Sequence, residues 1–226
     1  MIDAQHNIGN KFNEDGSFRF FPGNTVISKL DHSAPVWQEF LTIRGMLEAL
    51  PAAHCATMLP DDSIHMTVFE GVCHQWRRPE LWTSLLPLDC KLSETDDLME
   101  RAIASVPPLG PVNMRMESVR VSFGSSIRLV PATQDDADEL HRYREACSAA
   151  TGIRHPIHDT YGYHLSICYF TTTPTDEEEA QLRGFGERAT AYIRERGFVF
   201  PILPPRLTYF NNMYDFTPNR FDRNGL

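Results

Sequence analysis

Two stretches of this chain carry side chains capable of proton transfer in the same local arrangement. They are Ile64-His65-Met66-Thr67-Val68-Phe69 and Tyr163-His164-Leu165-Ser166-Ile167-Cys168, each reading apolar, His, apolar, hydroxyl, apolar. Successive side chains of a strand point to opposite faces. On a strand, His65 and Thr67 therefore share one face, and Ile64, Met66 and Val68 the other. His164 and Ser166 stand in the same way against Tyr163, Leu165 and Ile167. The apolar face can pack on a core while the other presents an imidazole beside a hydroxyl. Two copies offer two imidazoles and two hydroxyls to one cleft. Imidazole can give or take a proton near neutral pH.

In a chain that is 42% hydrophobic, three given flanks are all apolar by chance with probability ~0.07, and both sets with ~0.005. His158-Asp159-Thr160 has the His-x-Thr spacing but puts Asp159 where the apolar residue belongs. Two ordinary strands, each with a hydrogen-bonded histidine, also fit the pattern.

The paired motifs resemble those of the two-histidine (2H) phosphoesterase superfamily, which includes LigT-like RNA ligases and cyclic nucleotide phosphodiesterases. That family's pattern is His-x-Thr/Ser between hydrophobics, once per lobe; both copies match here, with Ser in the second. The flanking text, Phe21-Pro22-Gly23-Asn24-Thr25 and Glu70-Gly71, looks like a microbial branch of it. The resemblance is strict over the motifs and architectural elsewhere. It implies an α+β fold, with two pseudo-symmetric lobes of mostly antiparallel sheet facing a central cleft and helices outside. It also implies catalytic roles for His65 and His164 and phosphate binding by Thr67 and Ser166.

The chemistry implied is metal-independent hydrolysis of a cyclic phosphodiester: a 2′,3′-cyclic nucleotide, an ADP-ribose cyclic phosphate or an RNA end. One imidazole takes water's proton, the other protonates the leaving oxygen, and the hydroxyls donate to the non-bridging oxygens. Run in reverse, the same groups close a 2′–5′ bond, as a ligase does. No cofactor or metal is required. Two other readings stay open. One is a binding module that holds a phosphorylated ligand or RNA end without turnover. The other is a metallohydrolase built on His155, His158 and His164. Arg154, His158 and Tyr161, close in sequence to the second motif, are candidates for further substrate contacts.

The elements that must position these residues can be read from periodicity and punctuation. The spacing predicts strands over 25–30 and 52–59, the motif strands 64–70 and 163–170, a hairpin over 112–130 around Phe123-Gly124-Ser125, and a last strand over 207–211. Helices are expected over 34–50, 93–106 with a capping box at Ser93 to Asp96, 133–150, and 175–196. Pro107-Pro108-Leu109-Gly110-Pro111 reads as a linker. The whole is one two-lobed domain over 1–226, with lobes at 24–106 and 112–213 and an N-terminal arm at 1–23. The loop 71–89, with Trp76 and Trp82, leaves the first motif strand directly.

Composition narrows the partners. The net charge is −9, whereas long nucleic acids are gripped by basic surfaces. A small anionic substrate, or an RNA end, is expected in place of a long duplex. No apolar run approaches the ~18 residues of a membrane span, and the polar first residues lack a signal-peptide core, so a cytoplasmic location is expected. The five cysteines include no Cys-x-x-Cys and no even framework, so they should be reduced thiols. Simple alternation places Cys168 on the polar face of the second motif, in reach of a nucleophilic role.

Overall fold

The computed structural model describes residues 2–223. Its architecture is α+β, with every strand pairing antiparallel. In chain order the elements are β1 (Gly23–Lys29), α1 (Pro35–Glu48), β2 (Ala56–Met58), β3 (His65–Cys73), α2 (Leu92–Ser105), β4 (Asn113–Val121) and β5 (Gly124–Pro131). After these come α3 (Gln134–Thr151), β6 (His164–Phe170), α4 (Asp176–Arg196), β7 (Val199–Pro201), β8 (Arg206–Phe210) and β9 (Phe216–Thr217). The sheet runs β7-β4-β5-β6-β3-β1-β8-β9, and β2 shares the β3-facing edge of β6.

Two wings meet where β3 and β6 touch. The first holds β1, β3, β8 and β9, covered by α2 and α3; the second holds β4 to β7 except for the helices, covered by α4 with α1 packed on it. Neither wing is one half of the chain. α1 and β2 come from the first half but belong to the second wing, while α3, β8 and β9 make the opposite exchange. The ranges 24–106 and 112–213 thus cut across the wings, and the wings cannot separate without breaking strand pairs.

Local chemistry explains the helix ends. Thr133 and Asp136 form a reciprocal capping box on α3, as do Thr175 and Glu178 on α4, and both helices end on a left-handed glycine, Gly152 and Gly197. The cap of α2 differs from the expected one: Glu94 reaches back to the Lys91 amide. Asp96 is instead buried and paired with Arg223 at 3.0 Å. That buried pair binds Arg223 to the first wing, since Arg223 also donates to the carbonyls of Gly23 and Phe210.

The amphipathic faces meet in one continuous core. α1 contributes Val36, Trp37, Phe40, Ile43 and Leu47, and α4 contributes Leu182, Phe185, Ala189 and Ile193. The N-terminal arm joins it through Ile2, Phe12 and Phe21, each at most 2% exposed. Asn7 fastens the arm to the second wing by donating to the carbonyls of Phe123 and Phe170. No helix among the described residues is long and apolar enough to cross a membrane.

Candidate active site

The first and second motif strands lie side by side, with Met66 opposite Leu165. Antiparallel register then puts Thr67 beside His164 and His65 beside Ser166, and directly opposed residues share a face. Burial follows this alternation. Met66 and Leu165 are buried at 2% and 1% exposure, while His65, Thr67, His164 and Ser166 are half-buried on the other side. All four line one cavity of about 240 Å³.

Both strands break their alternation at the same place. Along β1, the register steps from Ile27 opposite Thr67 to Val26 opposite Phe69, which leaves Val68 as an extra residue. Along β5 it steps from Ser126 opposite Ser166 to Ser125 opposite Cys168, which leaves Ile167 extra. Each is a β-bulge, and a bulge shifts the phase of every later side chain. The next groove residue is therefore five positions after each histidine: Glu70 on β3 and Tyr169 on β6, both lining the cavity. The carbonyl of Val68 accepts a 2.7 Å bond from the buried guanidinium of Arg144 on α3. The second bulge also corrects the placement of Cys168. Its side chain is 1% exposed, and burial pushes its thiol up to about 12, so it remains protonated.

The two imidazoles are held alike. His65 Nδ1 lies 2.6 Å from the carbonyl oxygen of Ser63, and His164 Nδ1 lies 2.9 Å from that of Gly162. A carbonyl only accepts, so each Nδ1 carries the proton and each Nε2 is left to work. Desolvation holds His65 down at about 4, with the nearby His164 and Lys29 adding to the effect against the Ser63 bond. His164 is also lowered, first by desolvation, with Lys11 and Arg120 adding and Glu70 opposing. Phe216 packs its ring 4.3 Å from that of His65 and closes one side.

The family profile 2H-phosphodiest, described as a domain of unknown function (DUF1868), matches residues 11–124. That is half of the chain, from Lys11 through the whole first motif. The chain belongs to this 2H family. A crystal structure of a conserved protein of unknown function, ATU0111 from Agrobacterium tumefaciens str. C58, superposes with a TM-score of 0.85 at 27% identity, covering 94% of this chain and 90% of that one. E. coli LigT in apo form is a distant neighbour, at 9% identity and a TM-score of 0.48, covering 89% and 96%. No curated protein matches.

The 2H groove gathers some of the other candidates and leaves others outside. Tyr161 lines it and carries the Arg144 guanidinium 4.5 Å from its ring centre. Arg154 does not line it; it is exposed and paired with Glu145 and Asp159 at 3.0 and 2.6 Å. His158 is buried behind the first strand, between Arg144 and Glu145, and does not line it either. His155, His158 and His164 do not come together as one group of possible metal ligands; each has one nitrogen directed at a different partner. His155 faces Glu70 at 3.5 Å, His158 binds Glu145 at 3.0 Å, and His164 is tied to Gly162. Among the described residues, the groups that could hold a metal do not include His155 or His164.

Sequence reasoning missed several members of the 2H groove. Glu70 and Tyr169 depend on the bulges, and His155, singled out only as a metal ligand, lines the groove through loop placement. Lys11 comes from the arm and sits over Tyr169, Phe21 and Trp76 at 4.7, 5.8 and 5.8 Å from the ring centres. Among the described residues its ammonium makes no ion pair or hydrogen bond. The loop after β3 contributes Trp76 and Leu81 to the wall. Gly71 must be glycine here, since a Cβ would run into the Asn24 carbonyl behind the strand.

Proposed function

We propose that this protein is a metal-independent phosphoesterase that hydrolyses a small cyclic phosphodiester, with a 2′,3′-cyclic nucleotide, an ADP-ribose cyclic phosphate or an RNA end as substrate. One observation carries the reading: two histidines on adjacent strands share one tautomer, and both turn a free Nε2 to a groove lined by Thr67 and Ser166. A module that only bound phosphate would have no use for two oriented proton-transfer groups.

In this reading His65, the more strongly desolvated and neutral imidazole, is the general base. Its Nε2 takes a proton from water as the water oxygen bonds to phosphorus. The P–O bond to the sugar then breaks, and Nε2–H of His164 protonates the leaving oxygen. Glu70 favours the protonated form of His164. Thr67 and Ser166 donate to the non-bridging oxygens, where charge grows in the transition state. Lys11 adds a positive charge beside the phosphate. The product is a monoester, and the two imidazoles return to their starting states by exchange with solvent. The apolar part of the groove, Phe21, Leu59, Trp76 and Phe216 among its walls, suits a nucleobase. All five cysteines are free, which suits a reducing cytoplasm.

The test is a screen of 2′,3′-cyclic nucleotides, ADP-ribose cyclic phosphate and 2′–5′ linked oligonucleotides with chelator present. Turnover of one class in chelator supports the proposal. Binding of the whole set without turnover overturns it in favour of a binding module.

A further inference from the structure

Strand pairing carries the groove face outward beyond the two motifs. Across β6, Ser126 stands opposite Ser166 and Arg128 opposite His164. One strand further, Arg120 stands opposite Ser126. Opposed residues share a face, so both arginines look into the groove that holds the histidines. The strand of Arg120 lies two strand spacings, about 10 Å, from that of Ser166, and a guanidinium side chain reaches across part of that gap.

A second chamber opens there, continuous with the first through Lys11, Glu70, Tyr161, His164 and Ser166, which line both. The chain carries a net charge of −9. Yet among the described residues this chamber is lined by Lys11, Arg120 and Arg128 against one carboxylate, Glu70, which itself faces His155. Arg128 forms an ion pair with Glu117 at 2.8 Å. The exposed Arg120 side chain makes no ion pair or hydrogen bond among the described residues. Its planar fork matches a phosphate in two parallel bonds.

We infer that this outer chamber is a subsite for a second phosphate of the substrate, bound by Arg120, with Lys11 between it and the scissile group. The inference rests on the phosphodiester reading above and narrows its substrate class to a cyclic phosphodiester whose sugar carries a further phosphate. A nucleotide's own 5′-phosphate and the next internucleotide phosphate of an oligonucleotide supply the same chemistry.

Binding of product analogues tests this without relying on turnover. Titration calorimetry on the full chain compares a nucleoside 2′-phosphate, its 2′,5′-bisphosphate, and a dinucleotide ending in a 2′-phosphate. The expected result is roughly tenfold tighter binding, about 1.4 kcal/mol, for at least one ligand with a second phosphate. Gain from the bisphosphate assigns the 5′-phosphate to the subsite; gain from the dinucleotide alone assigns the internucleotide phosphate. In Arg120→Ala the ratio should fall to about one, and Arg120→Lys should restore part of it, since a point charge remains. Equal binding of all three ligands, or a ratio that survives Arg120→Ala in a protein with unchanged circular dichroism, overturns the subsite. A chain that hydrolyses cyclic phosphates but shows no ratio loses only the subsite. A chain that shows the ratio but hydrolyses nothing keeps the subsite and loses the phosphoesterase reading.

Discussion

Met66 and Leu165 face each other where the two wings of the sheet join. Their shared register interleaves the two motifs, so that each histidine has the other motif's hydroxyl as its cross-strand neighbour. The four side chains form one patch, and removing one hydroxyl should be felt by a histidine it does not follow in sequence.

In the proposed mechanism, Thr67→Val and Ser166→Ala each remove a donor to the phosphate. Turnover should fall by up to roughly 10²–10³-fold, the scale for losing one charge-stabilising donor. Thr67→Ser keeps the hydroxyl and should recover most of the loss. Steady-state kcat on the identified substrate is the readout, and an unchanged kcat in both variants would remove these hydroxyls from the mechanism.

The pH profile follows from burial. His65 stays neutral down to about 4 in the free protein, so the acid limb of kcat/KM should appear near that value and not near 6.5, the ordinary imidazole pKa. As the proposed acid, His164 would have to be protonated, and its pKa is lowered as well, so the alkaline limb should fall below 6.5 and the optimum should be acidic. Stability has the same origin. Between 6.5 and about 4 the unfolded chain binds a proton at His65 that the folded chain refuses, so stability falls as pH drops through that window. Thermal melts of His65→Gln should lose less over it than the wild type. A kcat/KM acid limb at 6.5 or above would contradict the buried, neutral His65.

Arg144 braces the first bulge. It donates 2.7 Å to the Val68 carbonyl and 3.1 Å to that of His158, and is 3% exposed. Arg144→Leu leaves both carbonyls short of a charged donor, which should cost roughly 2–4 kcal/mol. Urea unfolding measures it. The same variant should reduce activity in the folded population, because Glu70 takes its orientation from that bulge. A loss under about 0.5 kcal/mol, the range of neutral surface changes, would show that the bulge stands without it.

How far the sequence could be read depended on whether a feature was local. That His65, Thr67, His164 and Ser166 share one face was legible because two-residue periodicity and apolar flanks lie within six letters. α1, α3 and α4 were legible from spacing, a starting Thr or Pro, and a Gly or Pro at or just past the end. Glu70, Tyr169 and the true orientation of Cys168 were not, because a bulge leaves no mark in a single sequence and reverses every parity after it. Arg154 and His158 looked like groove residues because they precede the second motif, yet the chain there passes behind the first wing, where Glu145 and Arg144 hold them. Lys11 needed the arm to be placed across the sheet. β7 and β9 are three and two residues long, too short for alternation to register.

Lys11 should act on binding more than on chemistry. Lys11→Met keeps the aliphatic stem over Tyr169 and removes the charge. KM should rise by about tenfold, the equivalent of one lost charge-assisted contact, with a smaller change in kcat, and Lys11→Arg should restore part of the affinity. Equal KM for Lys11→Met and wild type at low ionic strength would place the substrate phosphate away from the ammonium.

The most direct measurement is single-turnover hydrolysis of the cyclic phosphate substrate, in chelator, by the wild type, His65→Ala, His164→Ala and the double variant. The account predicts that the wild type keeps its rate in chelator. Each single variant should lose about 10²–10⁴-fold in the chemical step, and the double variant should lose less than the product of the two, because the imidazoles act as a unit. A folded His65→Ala or His164→Ala protein that turns over the substrate at the wild-type rate, or a wild-type rate abolished by chelator and restored by metal, would contradict paired-histidine catalysis.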